Sequence, residues 1–154
     1  MIRKTLIFFA AAIAAYVLAA MLASKSAMDS IVALGLPISI SQRIGAFWHD
    51  LFGMATSLLP LIVIAYLIAF LVTGLLTRWW PNLRIVLYIA AGALAIVGIH
   101  IALNLTFEIT PVAAARTTGG LLMQGVAGAL GGYLFARFTQ TGNPREKSIS
   151  SVVE

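Results

Sequence analysis

Three side chains that can hydrogen-bond or carry a charge recur at four-residue intervals near the end of an apolar stretch: His100, Asn104 and Glu108. This spacing places them on one face of an α-helix, within an arc of about 80°. At about 1.5 Å per residue, His100 would lie roughly 12 Å from Glu108 along the helix axis. A histidine can titrate near neutral pH, so this face is a first candidate for a functional site.

A matching set of polar and small residues shares one face of the next apolar stretch: Arg116, Gly120, Gln124, Gly128 and Gly131, with Thr117 beside them. In an antiparallel hairpin we expect His100 level with Gln124, and Glu108 level with Arg116. The pair Thr110-Pro111 is an alternative helix start, which leaves this level-matching open by about one turn. Gly120, Gly128, Gly131 and Gly132 are predicted to be helix-packing residues.

This polar seam has two main interpretations. In the first, His100, Asn104 and Gln124 hydrogen-bond between helices, a contribution of about 0.6–2 kcal/mol each, and Glu108 pairs with Arg116. In the second, the seam lines a cavity for a proton, an ion or a small polar solute, because ionisable residues inside a membrane are candidates for function. A haem or metal site that joins His100 to His49 is a weaker alternative, and we predict no cofactor and no metal site.

The composition sets the class of protein in which this seam must lie. Of 154 residues, 61% are hydrophobic and 10% are charged, against about 25% charged in a typical soluble domain. Uncharged runs cover residues 5–24, 51–77, 85–107 and 117–136, and each can cross a hydrocarbon core about 30 Å thick. We therefore expect an all-α integral membrane four-helix bundle, with spans at about 5–24, 54–77, 83–106 and 117–138.

The connection between the first two spans carries an amphipathic pattern over about residues 39–53. Its apolar residues recur every three or four positions after Ser39 or Ser41, either of which can cap a helix. This pattern predicts an additional helix at the membrane interface, with these interfacial residues: Arg43, Trp48, His49 and Asp50. The alternative is that residues 41–53 are the first turns of the second span, extended beyond the membrane.

The distribution of basic residues predicts the topology. With the N-terminus inside, seven Lys and Arg residues lie on the inner side and three on the outer side, so both termini are expected in the cytoplasm. The apolar run after Arg3 and Lys4 is longer than that of a typical signal peptide, which favours an uncleaved first span. We expect one transmembrane domain over residues 1–139 and a polar cytoplasmic tail over residues 140–154, in a bacterial inner membrane.

Several functional classes are disfavoured by the sequence. It contains no cysteine, and it has no nucleophile–base motif, so an enzyme is not favoured. The basic residues are scattered at the span ends rather than clustered, which argues against nucleic-acid binding. Three functions remain: a homo-oligomeric transporter or channel for an ion or small polar solute, a non-catalytic accessory or scaffold subunit, and a lipid-binding or lipid-modifying protein. The expected partners are membrane lipid and either further copies of the chain or another integral membrane protein.

Overall fold

The computed structural model describes residues 2–107 and 117–140, and these residues form helices and no β-strand. The helices are α1 (Ile2–Ala33), α2 (Ile40–Gly53), α3 (Ala55–Trp79), a short 3-10 helix (Pro81–Leu83), α4 (Arg84–Phe107) and α5 (Thr118–Phe138). Four helices are long and apolar enough to cross a membrane: α1, α3, α4 with the preceding turn, and α5. The predicted all-helical architecture with four long apolar helices is therefore confirmed.

A tight turn and a capping box set the start of α2. Gly35 has a positive φ of 85°, a conformation that glycine adopts without steric cost. The Ser39 side chain accepts a hydrogen bond from the Gln42 amide, and the Gln42 side chain accepts one from the Ser39 amide. This reciprocal pair satisfies two amides that have no partner inside the helix, so α2 begins after Ser39 rather than after Ser41.

Two prolines mark the course of α3 and its exit. Met54 alone separates α2 from α3, and Pro60 consequently lies in the second turn of the new helix. Pro81 opens the 3-10 helix after Trp80. Proline is tolerated at this position because the first amide of a helix has no hydrogen-bond acceptor within the helix. The chain therefore reverses direction within a few residues, and α3 and α4 form an antiparallel hairpin.

Small residues bring α1, α4 and α5 close together. The buried face of α1 consists mostly of alanine, and it packs against α5. A β-carbon added at Gly92 of α4 would collide with the carbonyl oxygen of Gly128 on α5, and one added at Gly132 would collide with that of Tyr88. Close backbone approach through small residues is typical of helices that cross a membrane, because lipid provides no hydrophobic driving force for their association.

An aromatic cluster fills the bundle nearer the opposite end from α2. Phe70 of α3 lies at its centre, with ring centroids 4.7 Å from Tyr66, 4.7 Å from Phe135 and 5.3 Å from Tyr88. Phe8 of α1 contacts Phe70 edge-on at 6.2 Å. These rings join all four long helices, because each helix contributes at least one of them.

The two ends of the bundle differ in charge. The end formed by the start of α1, the α3–α4 turn and the end of α5 is called the basic end, and its charged residues are Arg3, Lys4, Arg78, Arg84 and Arg137. Within residues 2–107 and 117–140 the acidic residues are Asp29 and Asp50, and both lie toward the other end. The charge asymmetry therefore follows the bundle axis.

Candidate functional site

His100 and Gln124 are both buried inside the bundle, with 5% and 0% of their surfaces exposed. The Gln124 amide Nε2 donates a hydrogen bond of 3.0 Å to the carbonyl oxygen of Ala19 on α1. Among the described residues, nothing hydrogen-bonds to Oε1 of Gln124, and neither ring nitrogen of His100 makes a well-aligned hydrogen bond, although the Ile96 backbone lies close to the ring. Three buried polar atoms thus retain hydrogen-bonding capacity that water or a bound solute can use.

The register of α4 against α5 differs by one turn from the sequence-based expectation. The close approaches pair Gly92 with Gly128 and Tyr88 with Gly132. Continued along both antiparallel helices, this register sets His100 level with Gly120 and Gln124 level with Ile96. The glycine contacts determine the alignment because backbone collision is costlier than the loss of one polar contact.

α5 uses two faces rather than one. Gly128 and Gly132 approach α4, whereas Gln124 and Gly131 face α1. A β-carbon at Gly131 would lie 2.9 Å from the Ala15 side chain and would overlap the Tyr66 hydroxyl. That hydroxyl donates a 2.7 Å hydrogen bond to the carbonyl oxygen of Gly128. The glycines of α5 therefore allow close contact with α1, α3 and α4.

Two further seam residues, Asn104 and Thr117, are exposed rather than buried with His100 and Gln124. Asn104 is exposed on α4, one turn beyond His100. Thr117 is exposed and caps α5, since its side chain accepts a 3.1 Å hydrogen bond from the Gly120 amide. Glu108 and Arg116 lie outside the described residues, so their predicted pairing stays a prediction.

A polar cavity of about 480 Å³ opens between the second half of α1 and the start of α5. Lys25, Asp29 and Thr117 line it, and Gly120 forms part of its wall. Gln124 lies one helical turn, about 6 Å, further into the bundle than Gly120. The lining reaches Met123 but does not include Gln124, and the cavity lies between α1 and α5 rather than between α4 and α5.

The predicted interfacial residues all lie on α2. Arg43 contacts Asp29 of α1 at 3.4 Å, and Asp29 also pairs with Lys25. The Tyr16 hydroxyl donates a hydrogen bond to the carbonyl oxygen of Leu51, so α2 turns back along α1. Four apolar side chains at four-residue spacing remain exposed on another face of α2: Ile40, Ile44, Trp48 and Phe52.

His49 and Asp50 lie next to each other at the end of α2, with the His49 Nδ1 3.6 Å from an Asp50 carboxylate oxygen. The His49 side chain is exposed, whereas His100 is buried in α4. In the part of the chain that the structure describes, no three His, Cys, Asp or Glu side chains come close enough to hold a metal ion.

Two features of the surface were not identified from the sequence. The first is a contact of Arg84, one of the basic residues counted for the topology. Its guanidinium donates hydrogen bonds to the Ala136 carbonyl at 2.8 Å and the Thr139 hydroxyl at 2.6 Å. A cation at this point hydrogen-bonds a free carbonyl group at the end of α5 and interacts favourably with the negative end of the helix dipole. In the sequence, this contact is indicated only by the presence of basic residues at the ends of two neighbouring spans.

The second feature is a long groove between α3 and α4, called the α3–α4 groove, with a volume of about 730 Å³. Its walls run from Leu61 to Leu76 on α3 and from Leu87 to Thr106 on α4. Apart from Thr73 and Thr106, every residue of its lining is apolar or glycine. Continuous apolar sequence carries no periodic signal, so the groove is visible only in three dimensions.

Comparison with protein-family models, with curated proteins and with solved structures gives no match. The functional argument therefore depends on the arrangement of the residues themselves.

Proposed function

We propose that this chain is a small multi-pass membrane protein that acts as a non-catalytic accessory or scaffold subunit. In this proposal the α3–α4 groove receives a transmembrane helix of another integral membrane protein. The groove is the single observation that carries the proposal, because it is long and apolar and opens on a face of α3 and α4 where Ile64 and Leu94 are exposed.

The dimensions of the groove suit a membrane-spanning helix. From Leu87 to Thr106 its α4 wall covers 19 residue steps, or about 28 Å, which is close to the thickness of a hydrocarbon core. The lining holds no charged residue, so a helix of ordinary apolar composition can lie in it without burying a charge.

Small residues form the α4 wall of the groove at spacings of three and four: Ala91, Ala95, Gly98 and Ala102. A β-carbon at Gly98 would meet no atom of this chain within 4 Å, so glycine is not required there by the bundle itself. Large exposed side chains such as Ile64 and Leu94 flank the wall. Small residues let the backbone of a second helix approach closely, as at other helix interfaces in membranes.

The centre of the bundle favours this role over conduction through a single copy. Gly92 and Gly128 meet backbone to backbone, and the aromatic rings around Phe70 fill the space toward the basic end. A polar path from the α1–α5 cavity would have to pass both obstacles.

The placement of the bundle in the membrane is part of the same proposal. Its basic end faces the cytoplasm of a bacterial cell, in accordance with the positive-inside rule. The exposed apolar stripe of α2 contacts lipid at the opposite interface, while the exposed His49 on another face contacts water.

Replacement of Gly98 by leucine is expected to abolish the association with the partner protein, because the side chain would occupy the groove. Ala10→Leu is the matched control, since Ala10 is exposed on α1 and outside the groove. The measurement is the stoichiometry of membrane proteins that co-purify in polymer-extracted native membrane discs. An unchanged partner stoichiometry in Gly98→Leu would refute the proposal, and association only with further copies of the chain would replace it with a homo-oligomer.

A transporter or channel for an ion or small polar solute is the second candidate. The observation that favours it is the set of three unpartnered buried polar atoms on His100 and Gln124, of which Gln124 lies one turn deeper than Gly120 in the wall of the α1–α5 cavity. This function requires either a second conformation or an oligomer, because a single bundle is closed below Gln124.

For this candidate, the double variant His100→Leu and Gln124→Met is expected to reduce proton or ion flux in proteoliposomes at least tenfold. Both replacements introduce an apolar side chain of similar size, so packing is retained. Asn104→Leu serves as the control, because Asn104 is exposed. Flux in the double variant that equals that of the control would eliminate the transporter function.

A further inference from the structure

A smaller groove lies at the basic end, between the start of α1 and the end of α3. It is called the α1–α3 groove and has a volume of about 470 Å³. Lys4 and Arg78 line it, together with Phe8, Phe70, Leu71 and Gly74. It therefore combines a basic part with an apolar, largely aromatic part.

Among the residues that the structure describes, no acidic side chain compensates the basic part. Lys4 and Arg78 come from different helices, both are exposed, and the lining includes no acidic residue. Neither side chain hydrogen-bonds or pairs with another residue in ranges 2–107 and 117–140, whereas the neighbouring Arg3 and Arg84 donate to the carbonyl end of α5. Two cations are thus available to an anion at the same end of the groove.

The apolar part extends from these cations toward the middle of the membrane span. Phe8 and Phe70 contact each other edge-on at 6.2 Å, and Leu71 is largely exposed beside them. Gly74 also lines this part, and a β-carbon there would lie 3.5 Å from the Tyr88 hydroxyl, so alanine fits at this position whereas a larger side chain would extend into the groove. A free anion would leave this surface uncovered, but a lipid would cover it with an acyl chain.

We propose that the α1–α3 groove binds one anionic phospholipid. Lys4 and Arg78 hold the phosphodiester headgroup, and one acyl chain lies over Phe70 and Leu71. Basic pockets between transmembrane helices recognise anionic headgroups in this way. The site is separate from the α3–α4 groove, so it does not depend on the proposed accessory function.

The test is native mass spectrometry of the full chain, titrated with phosphatidylglycerol and with phosphatidylcholine. The wild-type protein is expected to retain one phosphatidylglycerol in preference to phosphatidylcholine. In the double variant Lys4→Gln and Arg78→Gln this preference should fall about tenfold or more, because each basic residue near a headgroup contributes roughly a fivefold change in affinity. Arg137→Gln is the control, since Arg137 lies at the same end but outside the groove.

Two outcomes would overturn the site. One is an equal affinity for the two lipids in the wild-type protein, and the other is an equal loss of preference in Arg137→Gln and in the double variant. Gly74→Leu tests the acyl-chain part without a change in charge. It should weaken retention of phosphatidylglycerol, while Gly74→Ala should not, and retention that survives leucine would place the lipid elsewhere.

Discussion

Replacement of Gly92 by alanine is expected to destabilise the bundle by about 3 kcal/mol, the upper part of the range for overpacked cores. The added methyl group would collide with the carbonyl oxygen of Gly128, which is backbone and cannot rotate away. The two helices would have to separate along their whole contact. The measurement is reversible unfolding in mixed micelles, followed by circular dichroism.

Gly98→Ala on the same helix is the matched control for this prediction. A β-carbon at Gly98 meets nothing within 4 Å, and alanine has the better helix propensity. We expect this variant to be as stable as the wild-type protein or slightly more so. Equal stability of the two alanine variants would mean that α4 and α5 do not meet at Gly92 and Gly128.

Phe70→Ala is expected to cost about 2–3 kcal/mol, because it removes the ring at the centre of the aromatic cluster. Tyr66, Tyr88 and Phe135 would each lose a ring contact at 4.7–5.3 Å. In lipid the loss consists mainly of van der Waals contacts and the cavity left behind, so we expect it to fall below the range of about 3–5 kcal/mol for a phenylalanine buried in a water-soluble protein.

Phe9→Ala makes the same chemical change at an exposed position of α1. Because the Phe9 ring contacts only Phe8 among the described aromatic residues, we expect a loss of less than about 1 kcal/mol. Thermal unfolding in detergent would compare the two variants. A cost at Phe9 as large as that at Phe70 would show that the cluster does not hold the four helices together.

The sequence predicted the helices because length and hydropathy alone determine which segments can cross a membrane. It also limited the start of α2 to Ser39 or Ser41, and the capping box between Ser39 and Gln42 in the structure selects Ser39. Both are local properties of the chain. They need no knowledge of which helices are neighbours.

The arrangement of the polar residues could not be predicted in the same way. His100 and Gln124 both lie inside the bundle, but Gln124 hydrogen-bonds to α1 rather than to α4. The alignment of α4 and α5 depends on Gly92, Gly128 and Gly132. The polar residues of the two helices predict a different alignment. Backbone collision determines the register, and it appears only when both helices are in place.

The α3–α4 groove shows a further limit of sequence analysis. Ala91, Ala95 and Gly98 line it, but small residues at similar spacing also form the tight α1–α5 and α4–α5 contacts. The sequence pattern does not distinguish a face that is packed within the bundle from one that remains open. Only the packing of all four long helices shows that this small-residue face has no partner within the described chain.

Site-specific photo-cross-linking in native membranes is the most direct test of the central claim. A photoreactive amino acid at Leu94, a large exposed side chain that lines the groove, is expected to give a discrete adduct with one other integral membrane protein. The same probe at Ala10, which lies outside the groove, should give lipid adducts alone. Lipid adducts alone at Leu94, or the same protein adduct at both positions, would contradict the proposal that the α3–α4 groove binds a partner helix.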